Sequence, residues 1–154
     1  MIVCGTGHRP DGIAEEYGSV IIKAEVKLRK VDRFVCGMAA GFDLLAGKAA
    51  MNVGIPITAA RPWAKHSVPG AEWKLLYAEV LEYADVIHIV SEGEPGSRGE
   101  AAGMLHTRNH WMVDNSDAVM AYWNGSEKGG TFECRKYAKK VGKPVANIIN
   151  DPPF

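Results

Sequence analysis

Three short glycine-containing segments, two directly after an apolar run and one separated from such a run by a polar turn, have the residue types of a phosphate site. They are residues 5–9 (GTGHR), 37–41 (GMAAG) and 129–131 (GGT). Residues without side chains let an anion approach the backbone, and free N–H groups are available where such a turn opens a helix. Each segment by itself is also compatible with an ordinary flexible loop. The occurrence of three in one chain favours phosphate binding.

Charged and aromatic side chains beside these segments extend the candidate site. Arg9, Arg61 and Arg108 each follow an apolar run or open a predicted helix, where a guanidinium can bind phosphate through two hydrogen bonds. Asp43 is suited to bind a ribose or a base, although an acid in the first turn of a helix also complements the helix dipole. Trp123 either stacks on a base or belongs to the core. The candidate ligand-binding residues are Gly5, Thr6, Gly7, His8, Arg9, Gly37, Met38, Ala39, Gly41, Asp43, Arg61, Arg108, Asn109, Trp123, Gly129, Gly130 and Thr131.

Glu133 is the candidate catalytic residue, because a carboxylate beside a glycine turn can act as a general base in the cleavage of a glycosidic bond. The alternative interpretation is an acid that only complements the dipole in the first turn of a helix. His106 and His110 are four residues apart, a spacing found in zinc sites, but the sequence indicates no third ligand. We therefore predict no metal site and no required cofactor; the expected ligand is a nucleotide.

The elements that must position these residues alternate along the chain. Apolar runs predict strands at residues 1–4, 34–36, 55–59, 86–90, 118–123 and 145–149. Helical periodicity predicts helices at residues 17–28, 42–53, 73–84, 105–115 and 131–141. Residues 91–103 are rich in Gly, Glu, Ser and Pro and are predicted to form a long loop that could act as a lid.

This alternation predicts an α/β fold, namely a single Rossmann-like domain spanning residues 1–154. Its sheet is expected to be mainly parallel, with helices on both faces. In such sheets ligands bind outside the carboxyl ends of the strands, at the point where the strand order reverses. The three glycine segments are therefore expected to converge on one crevice.

The amino-acid composition limits the kinds of molecule that the protein is expected to bind. The chain has 154 residues, 47% hydrophobic and 23% charged, with 18 basic and 18 acidic side chains. A net charge of zero offers no basic surface for a nucleic acid, so such a partner is not expected. No membrane span or signal peptide is predicted, and Cys4, Cys36 and Cys134 are expected to be reduced core thiols. We expect a cytoplasmic protein that binds a small molecule, with a homo-oligomer as an open alternative.

Three segments together resemble the SLOG superfamily of Rossmann-like domains, which includes the DprA, LOG and YpsA-like proteins. Residues 36–46 (CGMAAGFDLLA) resemble the DprA-type pattern S-G-x-A-x-G-x-D-x-x-A. Residues 108–117 (RNHWMVDNSD), followed by residues 129–131, are similar to the YpsA-like branch. The similarity spans nearly the whole chain, and the YpsA-like proteins fit best.

The resemblance implies a nucleotide or an ADP-ribose-like ligand in the crevice, and binding without catalysis is the leading hypothesis. LOG proteins hydrolyse the N-glycosidic bond of nucleoside monophosphates, so the alternative is an N-glycosidic-bond hydrolase or transferase. Their motif P-G-G-x-G-T-x-x-E places its Glu on Cys134 in this chain, and Glu133 is the adjacent carboxylate. A third possibility is an interaction module whose pocket stabilises a larger assembly.

Overall fold

The computed structural model describes residues 1–152 and 154, and in them six strands alternate with five α-helices. The strands are β1 (Ile2–Gly7), β2 (Arg33–Cys36), β3 (Ile57–Arg61), β4 (Val86–Ile89), β5 (Ala118–Tyr122) and β6 (Val145–Asn147). The helices are α1 (Tyr17–Leu28), α2 (Phe42–Val53), α3 (Ala71–Tyr83), α4 (Arg98–Asp114) and α5 (Gly130–Lys140). A single 3-10 turn (Pro10–Gly12) follows β1. The predicted order and type of the elements are confirmed.

The six strands form one sheet in the order β4-β3-β2-β1-β5-β6, and all five pairings are parallel. The order runs outward from β1 in both directions, so it reverses between β1 and β5. This confirms the α/β Rossmann-like fold. The reversal point is also where ligands bind in open sheets of this type.

Helices cover the sheet on both faces, as predicted. Consecutive strand residues alternate between the two cores: Val3 packs with α1, α2 and α3, whereas Cys4 packs with α4 and α5. This alternation follows from the two-residue period of a strand and explains why the central strands read as continuous apolar runs. The thiols of Cys4, Cys36 and Cys134 are free and buried, as expected, and burial raises the pKa of Cys134 to about 11.

The predicted loop at residues 91–103 is wrong in its second half, because α4 begins at Arg98. Ser97 caps the helix by accepting a hydrogen bond from the Glu100 N–H at 3.1 Å, and Glu100 accepts from the Gly96 N–H at 2.7 Å. Ser followed three residues later by Glu is a helix-start pattern that outweighs the local glycines. Only residues 90–97 of this region are irregular. The segment that could act as a lid is therefore about half as long as predicted.

Two strand ends also differ from the prediction. β1 continues through Gly7 because its backbone stays paired with β5, in a register that places Gly7 opposite Tyr122. Gly5, Thr6 and Gly7 therefore lie in a strand rather than in a turn. β6 stops at Asn147, where the chain turns and the Asp151 carboxylate accepts a hydrogen bond from the Asn147 N–H at 2.7 Å.

Across residues 1–152 and 154, none of the helices is both long enough and apolar enough to cross a membrane.

Candidate ligand crevice

A crevice with a volume of about 400 Å³ opens at the carboxyl edge of the sheet, where the strand order reverses between β1 and β5. The end of β1, the start of α2, the middle of α4 and the start of α5 contribute its walls. Eleven of the predicted ligand-binding residues line it: Thr6, Gly7, His8, Arg9, Ala39, Asp43, Arg108, Asn109, Gly129, Gly130 and Thr131. The expected convergence of the three glycine segments is therefore observed.

The amino end of α5 forms one end of this crevice and is open to an anion. Gly129 precedes the helix with φ of 92°, a conformation that favours glycine, and a Cβ built on Gly130 would lie 3.9 Å from Asn109 Nδ2. Thr131 is 6% exposed, and its hydroxyl has no hydrogen-bond partner among the residues that the structure describes. Lys128 adds a cation beside the helix terminus. Free N–H groups, a hydroxyl and an ammonium thus face the same space.

Arg108 is buried in the wall of the crevice and orients its neighbour. Its Nη1 donates to the Gly37 carbonyl oxygen, and its Nε donates to Asn109 Oδ1 at 2.9 Å. Because the Asn109 oxygen is occupied, the amide nitrogen of Asn109 is the group turned toward Gly130. The second amino group of Arg108, Nη2, has no partner among the described residues. Asn109 therefore presents an N–H donor next to the amino end of α5, and Arg108 lines the same crevice.

Asp43 is the buried carboxylate of the crevice. It is 7% exposed, and its Oδ2 accepts a hydrogen bond from the Ala39 N–H at 3.2 Å. Burial raises the pKa of the Asp43 carboxyl above its ordinary value, against the opposing effects of the Arg108 guanidinium and the Ala39 hydrogen bond. A buried carboxyl with a shifted pKa in a cleft is a feature of functional sites.

His8 connects two of the loops that frame the crevice. Its Nε2 accepts a hydrogen bond from the Asn124 N–H at 3.0 Å, so the neutral ring carries its proton on Nδ1. Its carbonyl oxygen accepts from the Phe42 N–H at 3.1 Å. His8 thereby ties the end of β1 both to α2 and to the loop after β5, and it also lines the crevice.

Four other predicted ligand residues lie behind the wall rather than on it: Gly5, Gly37, Met38 and Gly41. A Cβ on Gly37 would come within 2.7 Å of Asp43 Oδ2 and 3.3 Å of Arg108 Cζ, so this glycine makes room for both side chains. Gly41, with φ of 97°, lies so close to His8 that a Cβ would approach its carbonyl oxygen to 2.5 Å. These glycines are required because other protein atoms pack closely against them. The local sequence cannot show whether a glycine makes room for protein atoms or for a ligand.

Arg61 and Trp123 are held by protein groups outside the crevice. Arg61 donates to the Tyr77 hydroxyl at 3.0 Å and to the His66 carbonyl oxygen at 3.0 Å. Burial lowers the pKa of His66 to about 3, so this cluster contains a neutral imidazole. Trp123 donates from Nε1 to the Ser126 carbonyl oxygen, and the guanidinium of Arg135 lies 3.6 Å from the centre of its ring.

Glu133 is exposed and does not line the crevice. Its position one residue before Cys134 turns it away from the site, because one residue rotates a side chain by about 100° around a helix. Its catalytic role stays a prediction that the geometry of the crevice does not support.

Sequence reasoning missed six lining residues: Asp11, Gly12, Ala102, Leu105, His106 and Lys128. Ala102 was missed because the first turns of α4 were predicted as a loop, whereas Leu105 lay at the predicted start of the helix and was not identified as a ligand residue. His106 had been considered only as a partner of His110, whose ring instead stacks on Tyr137 at 3.8 Å. In the described part of the chain no group of three His, Cys, Asp or Glu side chains is placed to hold a metal.

The fold and the crevice define a Rossmann-like α/β domain with a ligand-sized opening at its switch point. No protein-family model matches the chain. An uncharacterized SPbeta prophage-derived protein of Bacillus subtilis, YoqJ, is 37% identical over 79 residues, which covers 46% of this chain and 44% of YoqJ.

Solved structures of DprA from two bacteria share the fold. DNA processing protein A (DprA) of Helicobacter pylori, described by its single-stranded DNA binding mode, superposes with a TM-score of 0.70 at 20% identity, covering 99% of this chain and 68% of that one. DprA of Streptococcus pneumoniae superposes with a TM-score of 0.68 at 19% identity, covering 93% of this chain and 48% of that one. The matched part of this chain thus spans under half the length of YoqJ and of the S. pneumoniae protein.

Proposed function

We propose that this protein binds a phosphorylated nucleoside in the crevice, with the phosphate at the amino end of α5. The observation that carries the proposal is the convergence of Gly130, Thr131, Asn109 and Arg108 on one opening at the switch point of the sheet. Helix amino ends bind anions through free N–H groups and the helix dipole. Switch-point crevices are where nucleotides bind in this architecture.

The charges and shape of the crevice support a nucleotide of modest charge. Three cationic side chains, Arg9, Arg108 and Lys128, line it together with the acids Asp11 and Asp43. Asp43 lies with Arg108 beside Gly37, whereas Asn109 lies beside Gly130 at the amino end of α5. The phosphate would therefore face the N–H donors, and a sugar hydroxyl or a base would face the carboxylate.

We also propose that the chain belongs to the SLOG superfamily and to its YpsA-like branch. The DprA-like pattern at residues 36–46 supports this, because the Asp43 of that pattern lies in the crevice, and the DprA structures share the fold. The description of the H. pylori protein also makes single-stranded DNA a ligand to test, although the neutral charge of this chain favours a small nucleotide.

We expect nucleoside monophosphates, ADP-ribose or NAD to raise the melting temperature of the protein by about 5–10 °C. A ligand at a hundred times its dissociation constant adds about 2.7 kcal/mol, and each kcal/mol is worth roughly 2–4 °C for a domain of this size. Differential scanning fluorimetry measures the shift, with inorganic phosphate, free nucleosides and a short single-stranded oligonucleotide as comparison arms. The proposal fails if no phosphorylated nucleoside raises the melting temperature more than inorganic phosphate and the free nucleosides do. A largest rise with the oligonucleotide would instead identify single-stranded DNA as the ligand.

A second candidate function is hydrolysis of the N-glycosidic bond of the bound nucleotide, and the position of Asp43 favours it. In this reaction the carboxylate accepts a proton from water as the water oxygen bonds to the anomeric carbon. The bond to the base breaks, and the proton is passed to the departing base nitrogen. A buried carboxyl in the crevice is better placed for this role than the exposed Glu133.

If the protein has this activity, Asp43→Asn should lower the turnover number by at least ~10²-fold, the usual contribution of a positioned base. The amide keeps the acceptor for the Ala39 N–H, so nucleotide binding and the fold should persist. In the parent, turnover should fall with decreasing pH at a midpoint above the ordinary carboxyl range, because protonated Asp43 cannot accept a proton. Release of free base, followed by chromatography, is the readout. Loss of turnover in Glu133→Gln but not in Asp43→Asn would assign the reaction to Glu133 instead.

A further inference from the structure

Strand β4 is an edge of the sheet that the described residues leave uncovered. Val86 is 43% exposed, Ile87 51% and Ile89 46%, so apolar side chains on both faces of the strand reach solvent. Edge strands are ordinarily protected by Lys, Pro, bulges or covering segments, because their free N–H and C=O groups pair readily with another strand. The four residues of β4 (VIHI) contain no charge and no proline.

The backbone of β4 determines which residues present these free groups. The Val90 N–H donates to the Arg61 carbonyl oxygen at 2.9 Å, so residue 90 faces β3. Because alternate residues of a strand turn to the same side, Val86 and His88 also face β3. Ile87 and Ile89 therefore direct their N–H and C=O groups away from the sheet.

These two residues fit a second copy of the same strand. In an antiparallel pair with a two-fold axis at His88, Ile87 of one copy lies opposite Ile89 of the other, and the two exchange both backbone hydrogen bonds. Their side chains lie on the face opposite His88, whose ring stacks on Trp111 of α4 at 4.1 Å. The isoleucines of both copies would then form one apolar cluster on the α3 side of a continuous sheet.

Helix α3, which precedes β4, carries charges that complement those of a second α3 helix related by the same two-fold axis. Glu79 of α3 faces α2, where it lies 3.7 Å from Lys48, so the other flank of α3 runs beside the free edge. Two α3 helices related by the same axis are antiparallel, and with Ala78 at their midpoint Lys74 of one copy meets Glu82 of the other. All three residues are exposed, and the small Ala78 allows the helices to approach. The two-fold axis repeats the Lys74–Glu82 pair, so opposite charges meet at both ends of the contact between the two α3 helices.

We propose that the partner of this edge is a second copy of the chain, joined through β4 and α3 in a symmetric dimer with one continuous twelve-stranded sheet. Closed two-fold contacts of this kind use the same surface on both copies. Among the described residues, the opposite edge offers less backbone for pairing, because β6 is a strand of three residues and the Asn147 N–H already donates to the Asp151 carboxylate.

Sedimentation of the whole chain tests the proposal, with an expected mass of twice 16.7 kDa. Ile87→Lys should yield a monomer, because it places two like charges in the apolar cluster, whereas Ile22→Lys on the exposed face of α1 should remain dimeric. Lys74→Glu and Glu82→Lys should each weaken the dimer by about tenfold, and the combination should restore it. Lys74→Glu and Glu82→Lys change exposed residues of α3. They therefore test the dimer even if the Ile87→Lys variant does not fold.

A parent chain that remains monomeric overturns the proposal. So does a dimer that survives Ile87→Lys, or a combined charge swap no tighter than either single change. None of these outcomes bears on nucleotide binding, because the edge lies outside the crevice.

Discussion

Gly130→Asp is expected to abolish nucleotide binding, by more than ~10²-fold in affinity, while the protein stays folded. A side chain is accommodated at this position, since its Cβ would have only Asn109 Nδ2 nearby, at 3.9 Å. The added carboxylate would lie at the first position of α5, where it complements the helix dipole and also occupies the anion position. Stability should therefore be kept or raised while a phosphate is repelled.

Gly130→Ala is the matched control, because it adds the same Cβ without the charge. Titration calorimetry with the tightest nucleoside monophosphate should show near-parent affinity for the alanine variant and none for the aspartate variant. Parent-like affinity in Gly130→Asp would remove the amino end of α5 from the site. Equal loss in both variants would indicate that volume rather than charge excludes the ligand.

Gly7→Ala is expected to destabilise the ligand-free protein by about 3 kcal/mol, at the upper end of the cost of overpacking a core. A Cβ at this position would lie 2.4 Å from Cβ and Cδ1 of Phe42, a fully buried side chain that cannot move aside freely. Urea unfolding followed by circular dichroism measures the loss. The midpoint should fall with an unchanged slope.

Gly18→Ala is the control for Gly7→Ala. Gly18 is exposed in α1, and a Cβ there would meet nothing within 4 Å. Alanine should raise stability by up to about 1 kcal/mol, because it restricts the unfolded chain and favours the helix. A Gly7→Ala variant as stable as the parent would show that packing against Phe42 does not require this glycine.

The helices and strands were largely predictable because their signals are local. Residues 17–28 and 42–53 carry apolar positions at helical spacing along their whole length, and both helices were predicted with the observed bounds. The start of α4 was missed because its first turns are exposed and show no apolar stripe. Its only signal was the pairing of Ser97 with Glu100, which was not recognised in a glycine-rich segment.

The crevice was predictable to the extent that it is built from strand ends. Parallel strands bring their carboxyl ends to one edge, so the segments after β1, β2 and β5 had to meet there. Which side chains face the opening was predictable only in part, since eleven of the candidate residues line the crevice and six do not. Arg61 resembled a phosphate ligand in the sequence, and only the fold places Tyr77 and His66 where they bind it.

The sequence by itself determined the alternation of elements, and hence the parallel sheet and the presence of a glycine-bordered helix amino end at its carboxyl edge. The order of the strands, and with it the switch point, came only from the tertiary structure. The tertiary structure alone decided that Gly37 and Gly41 make room for protein atoms, that Arg108 orients Asn109, and that β4 remains uncovered. The physical reason is the range of the interactions. Periodicity and turn chemistry act between residues a few positions apart, whereas the Gly37–Arg108 contact joins residues 71 positions apart and exists only after the chain has folded.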